Sequence, residues 1–156
     1  DHRDLHSFPT RRSSDLEKSV GRNATLILGL TPDPNGLIPT GDEQRLKEFG
    51  TEINRRFSSP LAQTSGQKKS LTLKLDKKQP VNYCIIQENI QNGERIRQYK
   101  VEAKVNGKWQ TVCSGESVGH KRIEKFDPVE ATALRLTVLQ SIALPDIINF
   151  SAFSVN

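Results

Sequence analysis

The chain has 156 residues, of which 26% are charged and 34% hydrophobic, and its formal net charge is +5. This length allows one ordinary domain or a small domain with an additional segment, and no apolar run approaches the roughly 20 residues of a membrane-spanning helix. Two cysteines, scattered basic residues and 6% aromatic residues also argue against a disulfide framework, a four-ligand zinc site and a nucleic-acid-binding protein.

The first sixteen residues differ in character from the rest of the chain. Asp1–Leu16 contain no starting methionine, no apolar region of a signal peptide and no hydrophobic period. The segment is similar to the translation of a DNA sequencing adapter, and such additions must be excluded from fold reasoning. We therefore expect residues 1–16 to belong to no fold and the genuine protein to start near Glu17. His120 is then the only remaining histidine, so no metal site is predicted.

Residues 17–60 are predicted to form one βα unit. The nearly continuous apolar run Ala24–Leu30 is typical of a strand that is covered on both faces, as in a parallel sheet. After a turn-forming stretch, Thr40 and Glu43 match a capping box at the start of an amphipathic helix over 42–57. The apolar stripe of this helix consists of Leu46, Phe49, Ile53 and Phe57. Because one βα unit cannot bury its own apolar faces, we expect this stripe to be exposed or to make only makeshift contacts, and the chain to aggregate for that reason.

The second half of the chain shows the period of β-strands. Residues 61–69 are polar and rich in turn formers, which predicts a linker, and Asn106–Gly107 is a strong hairpin signal. The predicted strands are Ser70–Leu75, Val81–Glu88, Ile96–Val105, Lys108–Cys113, Lys121–Phe126, Ala133–Leu139 and Ile147–Val155. Strands with turns about every ten residues favour an antiparallel β-sandwich over 70–156, so the predicted fold class is mainly β.

Two groups of motifs make the chain resemble a known family. Ser19–Pro39 and the helix residues Arg45–Gly50 are similar to the last barrel strand, the following loop and the helix of family-29 glycoside hydrolases, the α-L-fucosidases. The second half resembles the C-terminal galactose-binding-like sandwich of those enzymes, a jelly-roll domain akin to the discoidin or coagulation-factor type C fold. The residues that carry this second resemblance are Ile86–Ile90, Gly93–Arg95, Lys108–Trp109 and Val118–Ile123.

The resemblance implies a C-terminal piece of an α-L-fucosidase, with the last βα unit of a (β/α)8 barrel at 17–60 and a complete sandwich at 70–156. The whole enzyme would remove terminal α-L-fucose from glycans with retention, and it would be periplasmic or secreted. Retention needs a pair of carboxyl groups, and the resemblance places that pair on earlier barrel strands. We therefore expect no catalytic residue, no cofactor and no hydrolase activity in this chain. Its partners would be the missing N-terminal barrel and a fucosylated glycan.

Four residues are candidates for sugar contact or for structural pairing. Trp109, Glu88 and Arg122 are candidate carbohydrate contacts, since an exposed aromatic ring often stacks on a sugar. Because Trp109 directly follows a hairpin turn, a packed position is favoured for it. Glu88 lies at a strand end, where an ion pair with Arg95 or Arg122 would fix the loop 89–94 to the sandwich. We favour this structural pairing over a sugar site.

Several alternatives stay open at the level of sequence. A carbohydrate-binding module for glycan adhesion is the alternative function, and a general interaction module of the discoidin type is a third. Cys84 and Cys113 are expected to be reduced and buried, although a disulfide between them is possible. Asp33 lies between two prolines and is interpreted as a turn residue rather than a catalytic carboxylate.

Overall fold

The structure, a computed structural model, describes residues 15–155. In chain order its elements are the helix α1 (Thr40–Phe57) and the strands β1 (Ala62–Gly66), β2 (Ser70–Glu88), β3 (Ile96–Val105), β4 (Lys108–Gly115), β5 (Arg122–Ser141) and β6 (Ile147–Phe153). The strands pair antiparallel in the order β1-β6-β2-β5-β3-β4. Within the described range, no helix is long and apolar enough to cross a membrane.

The two longest strands take part in both layers of a β-sandwich. Layer A contains β1, β6, the second half of β2 and the first half of β5, whereas layer B contains the first half of β2, the second half of β5, β3 and β4. The register between β2 and β5 breaks between Lys74 and Gln79 and again between Val81 and Tyr83. Such irregularities bend a strand, which lets one strand pass from one layer to the other. The predicted antiparallel sandwich is confirmed.

The core lies between the two layers and follows the alternation of each strand. Its main cluster contains apolar side chains of both layers, including Leu73, Ile86, Tyr99, Leu134, Leu136 and Phe150. At the second register break the alternation changes phase, so that Val81 faces the core and Tyr83 faces outward. A single extra residue reverses every side chain that follows, because the side-chain period of a strand is two. Layer A therefore presents apolar residues on its outer face as well.

Most predicted strands are present, but two pairs of them are fused. The segments 70–75 and 81–88 are parts of β2, and 121–126 and 133–139 are parts of β5. The polar stretches between them were predicted as turns because their residues favour turns, yet here they bend a continuous strand. The hairpin at Asn106–Gly107 is confirmed, with φ of 49° and 81° at its two residues. Positive φ at both central residues is what a type I′ turn requires.

The region before the sandwich departs more from prediction. Ala24–Leu30 form no strand, and Ile27 is 85% exposed. A strand covered on both faces needs parallel neighbours, and the described residues supply none, since every strand pair among them is antiparallel. The predicted linker over 61–69 contains β1, which pairs with β6. Its polar composition suits an edge strand with one face in solvent.

The helix forms as predicted, but its capping box is wrong. Pro39 occupies the N-cap position without a side-chain hydrogen bond, and Thr40 is already the first helical residue. Glu43 instead accepts a hydrogen bond from Lys47 at 2.7 Å, one turn further along the helix.

Only the last two of the sixteen residues that were expected to belong to no fold lie within the described range. Residues 1–14 lie outside the described range. Asp15 and Leu16 belong to a helical turn over 15–18, and their carbonyl oxygens accept hydrogen bonds from the backbone of Ser19 and Gly21. These last two residues of the segment therefore have local structure, contrary to expectation.

Candidate functional site

The end of helix α1 packs on the outer face of layer A. The ring of Phe57 lies edge-on to Tyr83, with centroids 5.7 Å apart, and edge-on to Phe153 at 5.5 Å. These rings extend a small second apolar cluster that includes Ile85 and Ile123. Phe49 is buried, and the other residues of the predicted stripe, Leu46, Ile53 and Phe57, are half-buried. Of the two expected outcomes, an exposed stripe is therefore wrong, because at the end of the helix the outer face of layer A supplies an apolar surface for Phe57.

Polar side chains reinforce this joint between helix and sandwich. The hydroxyl of Tyr83 donates a hydrogen bond to Glu17 at 2.7 Å, and Arg56 lies 3.5 Å from the same carboxylate. Arg56 also donates to Glu52 at 2.6 Å. Hydrogen bonds from Arg55 and Arg56 lower the pKa of Glu52 to about 2. Glu17, the first residue expected to be native, thus already belongs to the folded unit.

A short segment before the helix, Gly21–Asn23, is bound to the start of β5; we call it the clasp. The carbonyl oxygen of Gly21 accepts a hydrogen bond from the N–H of Ile123 at 3.1 Å. Arg22 donates to the carbonyl oxygen of Ile123 at 2.6 Å and to the carboxylate of Glu124 at 3.2 Å. A Cβ at position 21 would lie 2.8 Å from that of Ile123, so only glycine fits at this approach.

The side-chain amide of Asn23 completes the clasp. It donates to the carbonyl oxygen of Val118 at 3.0 Å and accepts from the N–H of Lys121 at 2.9 Å. Gly119, with φ of 62°, lies under this amide, where a Cβ would approach it to 2.5 Å. The clasp was not predicted from the sequence, because its partners lie about 100 residues away and its own residues carry no periodic signal.

Glu124 is the buried charge on which several of these contacts converge. Its carboxylate accepts hydrogen bonds from the Tyr99 hydroxyl at 2.5 Å, from Arg122 at 2.7 Å and from Arg22 at 3.2 Å. Burial, together with the hydrogen bond from its hydroxyl to Glu124, raises the pKa of Tyr99 above its usual range. A carboxylate inside a sandwich is tolerated only when it is paired and hydrogen-bonded. Arg122, a candidate sugar contact, is thus engaged by a structural partner.

Glu88 fixes the loop 89–94, but not through an ion pair. The residue is 1% exposed, and its Oε1 accepts from the backbone N–H groups of Arg95 at 2.8 Å and Ile96 at 3.2 Å. Its Oε2 is buried without a hydrogen-bond partner in the described part of the chain. Burial raises the pKa of Glu88, although the two N–H groups oppose the shift. The loop is therefore tied to the sandwich by backbone donors.

The predicted pairing of Glu88 with Arg95 or Arg122 is wrong. The guanidinium of Arg95 donates to the carbonyl oxygen of Leu144 at 2.9 Å, while that of Arg122 donates to Glu124. The physical reason is local: a strand end exposes backbone N–H groups that need acceptors, and the nearby carboxylate satisfies two of them.

Trp109 occupies a half-buried position on the outer face of layer B. The guanidinium of Arg135 lies 4.3 Å from its ring centroid and the ammonium of Lys104 5.9 Å from it. Arg135 is held in turn by Glu102 at 2.9 Å. A cation thus already covers the indole ring of Trp109.

The two cysteines and Asp33 are engaged in contacts within the chain. Cys84 and Cys113 are free thiols, and a hydrogen bond between them, together with burial, raises the pKa of Cys84. Asp33 accepts from the N–H groups of Asn35 at 2.8 Å and Leu37 at 2.9 Å, as expected of a turn residue. Within residues 15–155, no group of three or more His, Cys, Asp or Glu is placed to hold a metal ion.

An open groove crosses the outer face of layer A beside the helix end; we call it the polar groove. It consists of two adjoining cavities of about 290 and 390 Å³ that share Gln63 and Asn149. Further lining groups are Phe57, Gln87, Lys121, Ser151 and Phe153 in one cavity and Thr64, Ser65 and Ile148 in the other. The groove was not predicted from the sequence, because its residues lie on three strands, on the helix end and in connecting segments that only the fold brings together.

The chain is similar to a known domain family and to several known proteins. It matches the F5/8 type C domain over residues 41–149. Among curated proteins it is 32% identical over 173 residues to the provisionally named α-L-fucosidase 1 of Oryza sativa, a match that covers 88% of this chain and 33% of the rice protein.

Solved structures give a similar result. A provisionally named α-L-fucosidase from Bacteroides thetaiotaomicron is 82% identical, with a TM-score of 0.93 over 94% of this chain and 34% of its own. A family-29 fucosidase of Ruminococcus gnavus in complex with fucose is 27% identical, with a TM-score of 0.82 over 93% of this chain and 36% of its own. The chain thus spans about a third of the relatives that it matches.

Proposed function

The chain belongs to the F5/8 type C domain family, and on this premise we propose that it is the C-terminal accessory part of an α-L-fucosidase. In the whole protein, this enzyme removes terminal α-L-fucose from glycans with retention. The observation that carries the proposal is the extent of the likeness, which covers 94% of the chain at 82% identity to one fucosidase structure. Such coverage takes in helix α1 as well as the sandwich.

The exposed apolar residues of the segment 24–38 support this proposal. Ile27 is 85% exposed, and Leu37 and Ile38 are also in solvent. The clasp holds one end of this segment to the sandwich, and the packing of Phe57 holds the helix that follows it. An apolar segment that is fixed at both ends and uncovered between them fits a surface that another domain covers. In our proposal that domain is the catalytic barrel.

Three carboxylates of this chain, those of Asp33, Glu88 and Glu124, have structural roles. A retaining glycosidase needs two carboxyl groups about 5–5.5 Å apart on either side of the scissile bond. Asp33 accepts two backbone N–H groups, Glu88 is buried, and Glu124 holds three donors. We therefore propose that the accessory part acts by fixing the barrel's last segment to a rigid sandwich, while hydrolysis depends on residues outside this chain.

A carbohydrate-binding module is the second candidate function. The polar groove favours it, since its lining side-chain amides and hydroxyl groups offer the donors and acceptors that sugar hydroxyls use. The two functions are compatible, because an accessory domain can both support a barrel and hold a glycan near it.

The experiment compares this chain with the protein encoded by the complete reading frame. Both are assayed on an aryl α-L-fucoside at equal molar concentration. We expect turnover by the complete protein and none by this chain. Turnover by this chain that Asp33→Asn abolishes would show that the catalytic carboxylate lies here, and a complete protein without fucosidase activity would refute the proposal.

A further inference from the structure

We propose that Cys84 and Cys113 form a redox site, at which a reversible disulfide bond links the two layers of the sandwich. Cys84 lies in the layer A part of β2, and Cys113 lies in β4, at the layer B edge of the described sheet. Both are free thiols in the structure. The inference is independent of the proposed function, because it concerns the stability of the sandwich and no step of glycan hydrolysis.

The strand register directs both cysteine side chains into the core. Cys84 pairs with the fully buried Ala152 of β6 and belongs to the main core cluster. Cys113 pairs with the fully buried Val101 of β3 and packs against the same cluster. Paired residues of neighbouring strands present their side chains on the same face of a sheet. The two thiols therefore enter the interior from opposite layers.

Tyr99 shows that the two cysteines lie at the same level of the sandwich. It precedes Val101 by two residues on β3, so its side chain faces the core next to the rung of Cys113. Its hydroxyl crosses to layer A and donates a hydrogen bond to Glu124, which pairs with Cys84. One side chain thus spans the space between the strands that carry the cysteines, and the two thiols are hydrogen-bonded to each other.

The surroundings of Cys113 allow the closer approach that a disulfide requires. The sulfur atoms of a disulfide are about 2.05 Å apart, which is closer than two hydrogen-bonded thiols. Among the described strands, β4 is paired on one side only, and its register with β3 shifts at Val112, directly before Cys113. Because a bulge disrupts the hydrogen-bond ladder locally, β4 can move there toward the core with little loss of pairing.

The difference in access between the two thiols decides which of them reacts first. Cys113 is half-buried, whereas Cys84 is fully buried, and the hydrogen bond with Cys113 together with burial raises the pKa of Cys84. Since the thiolate is the nucleophile in thiol–disulfide exchange, an oxidant from solution meets a reactive sulfur at Cys113. Cys84 is then the resolving thiol, and its attack is intramolecular.

The oxidant is a low-molecular-weight disulfide, and the exchange takes place in two steps. The thiolate of Cys113 attacks one sulfur of the oxidant, whose S–S bond breaks and whose other half leaves as a thiol after protonation. Cys84 then loses its proton and attacks the sulfur of Cys113 in this mixed disulfide, so that the second half of the oxidant leaves as a thiol. In total the two cysteines lose two protons and two electrons, which convert the oxidant into two thiols.

The bond makes the stability of the sandwich depend on redox conditions. It closes a loop of about 30 residues that contains β3, and it thereby restricts the unfolded chain. It also fixes the edge strand β4 of layer B to β2, which lies between β6 and β5 in the sheet. For a chain of this length, we expect oxidation to raise the Tm by about 10 °C.

The test is the treatment of this chain, fully reduced, with oxidised glutathione at mildly alkaline pH. Free thiols are counted in the unfolded protein, the intact mass is measured and thermal unfolding is followed. We expect a monomer that has lost both free thiols and two hydrogen atoms, with a Tm about 10 °C above that of the reduced chain. Dithiothreitol should restore both thiols and the lower Tm.

Two matched variants separate the two steps of the reaction. Cys84→Ala keeps only the half-buried thiol, which should stop at the mixed disulfide with glutathione. Cys113→Ala keeps only the buried thiol, which should stay reduced under the same conditions. Neither variant should gain Tm on oxidation, so each controls for effects of glutathione on the rest of the chain.

Four results with the unsubstituted chain would overturn the proposal. They are two thiols that remain free after oxidation, a stable mixed disulfide with glutathione, disulfide-linked dimers, and an oxidised monomer whose Tm does not rise. None of these measurements requires a variant to fold. They are also distinct from failure of the proposed function, which is tested by the hydrolysis of an aryl fucoside by the complete protein.

Discussion

The sandwich buries most of its apolar side chains, whereas the segment 24–38 before it leaves several of its own in solvent. In the sandwich, two layers bury their apolar faces against one another, and residues such as Leu134 and Phe150 are fully buried. In the segment 24–38, Ile27 and Leu37 remain in solvent. Since burial of apolar surface is the main favourable contribution to folding, the sandwich layers stabilise one another, whereas the segment gains little from its exposed apolar residues.

The joint between the two regions is neither fully buried nor fully exposed. The clasp and Phe57 attach the segment and the helix to layer A, but they use a few hydrogen bonds and ring contacts rather than a broad apolar interface. A hierarchy of stability follows from this comparison, with the sandwich core at the top, the buried polar contacts next, the joint below them and the exposed segment at the bottom.

Leu134→Ala tests the top of this hierarchy. Leu134 is fully buried between the layers, so its truncation removes apolar contacts and leaves a cavity. We expect a loss of about 2–5 kcal/mol in the free energy of unfolding, measured by urea denaturation. A change below that obtained with Phe57→Ala would contradict the ranking.

Glu88 tests the buried polar contact. Glu88→Ala removes the acceptor of two backbone N–H groups, and we expect a loss of about 1–3 kcal/mol in unfolding free energy. Glu88→Gln keeps an acceptor and removes the buried charge, so it should be at least as stable as the wild type at neutral pH.

The difference in stability between Glu88→Gln and the wild type should depend on pH. Because burial raises the pKa of Glu88 in the folded state, the folded state binds more protons than the unfolded state between the two pKa values. The stability contribution of this group is therefore complete below the unfolded pKa and is lost as pH rises through the folded pKa. We expect the advantage of Glu88→Gln over the wild type to grow with pH, and an advantage that shrinks would show that the carboxylate is stabilised by a positive partner.

Phe57→Ala tests the joint. The ring is half-buried and makes two edge-on aromatic contacts, so we expect a loss of about 1–2 kcal/mol, smaller than for a fully buried core residue. Hydrogen exchange should show increased opening of helix α1 with little change in β3. Equal loss of protection in both would mean that helix and sandwich unfold as one unit.

Ile27→Ser tests the exposed segment and should have the smallest effect on stability. A side chain that is 85% exposed contributes little to folding, and a surface change is usually within about 0.5 kcal/mol. Self-association of the chain should decrease, as measured by sedimentation velocity, because an exposed apolar patch is reduced. A clear drop in unfolding free energy would show that the side chain is buried.

Local sequence patterns predicted the elements whose causes are local. The alternation of Leu71, Leu73 and Leu75 in β2, the positive-φ turn at Asn106–Gly107 and the amphipathic helix all follow from rules that act over a few residues. The motifs also predicted the family, since they preserve residue types in a fixed order. The predicted capping box was wrong, because Pro39 occupies the N-cap position and Thr40 is already the first residue of the helix.

Tertiary structure alone decided how these elements meet. Whether a polar stretch ends a strand or bends it depends on the layer beyond it, and so β2 and β5 could not be predicted as continuous strands. The clasp and the polar groove depend on strand register, which places residues about 60 to 100 positions apart side by side. The partners of Glu88 are only 7 and 8 positions away, but they depend on how the loop 89–94 folds back onto the strand end. A sequence records which side chains are available at each position. Which groups need a hydrogen-bond partner, and which surface is left uncovered, is determined only when the backbone is in place.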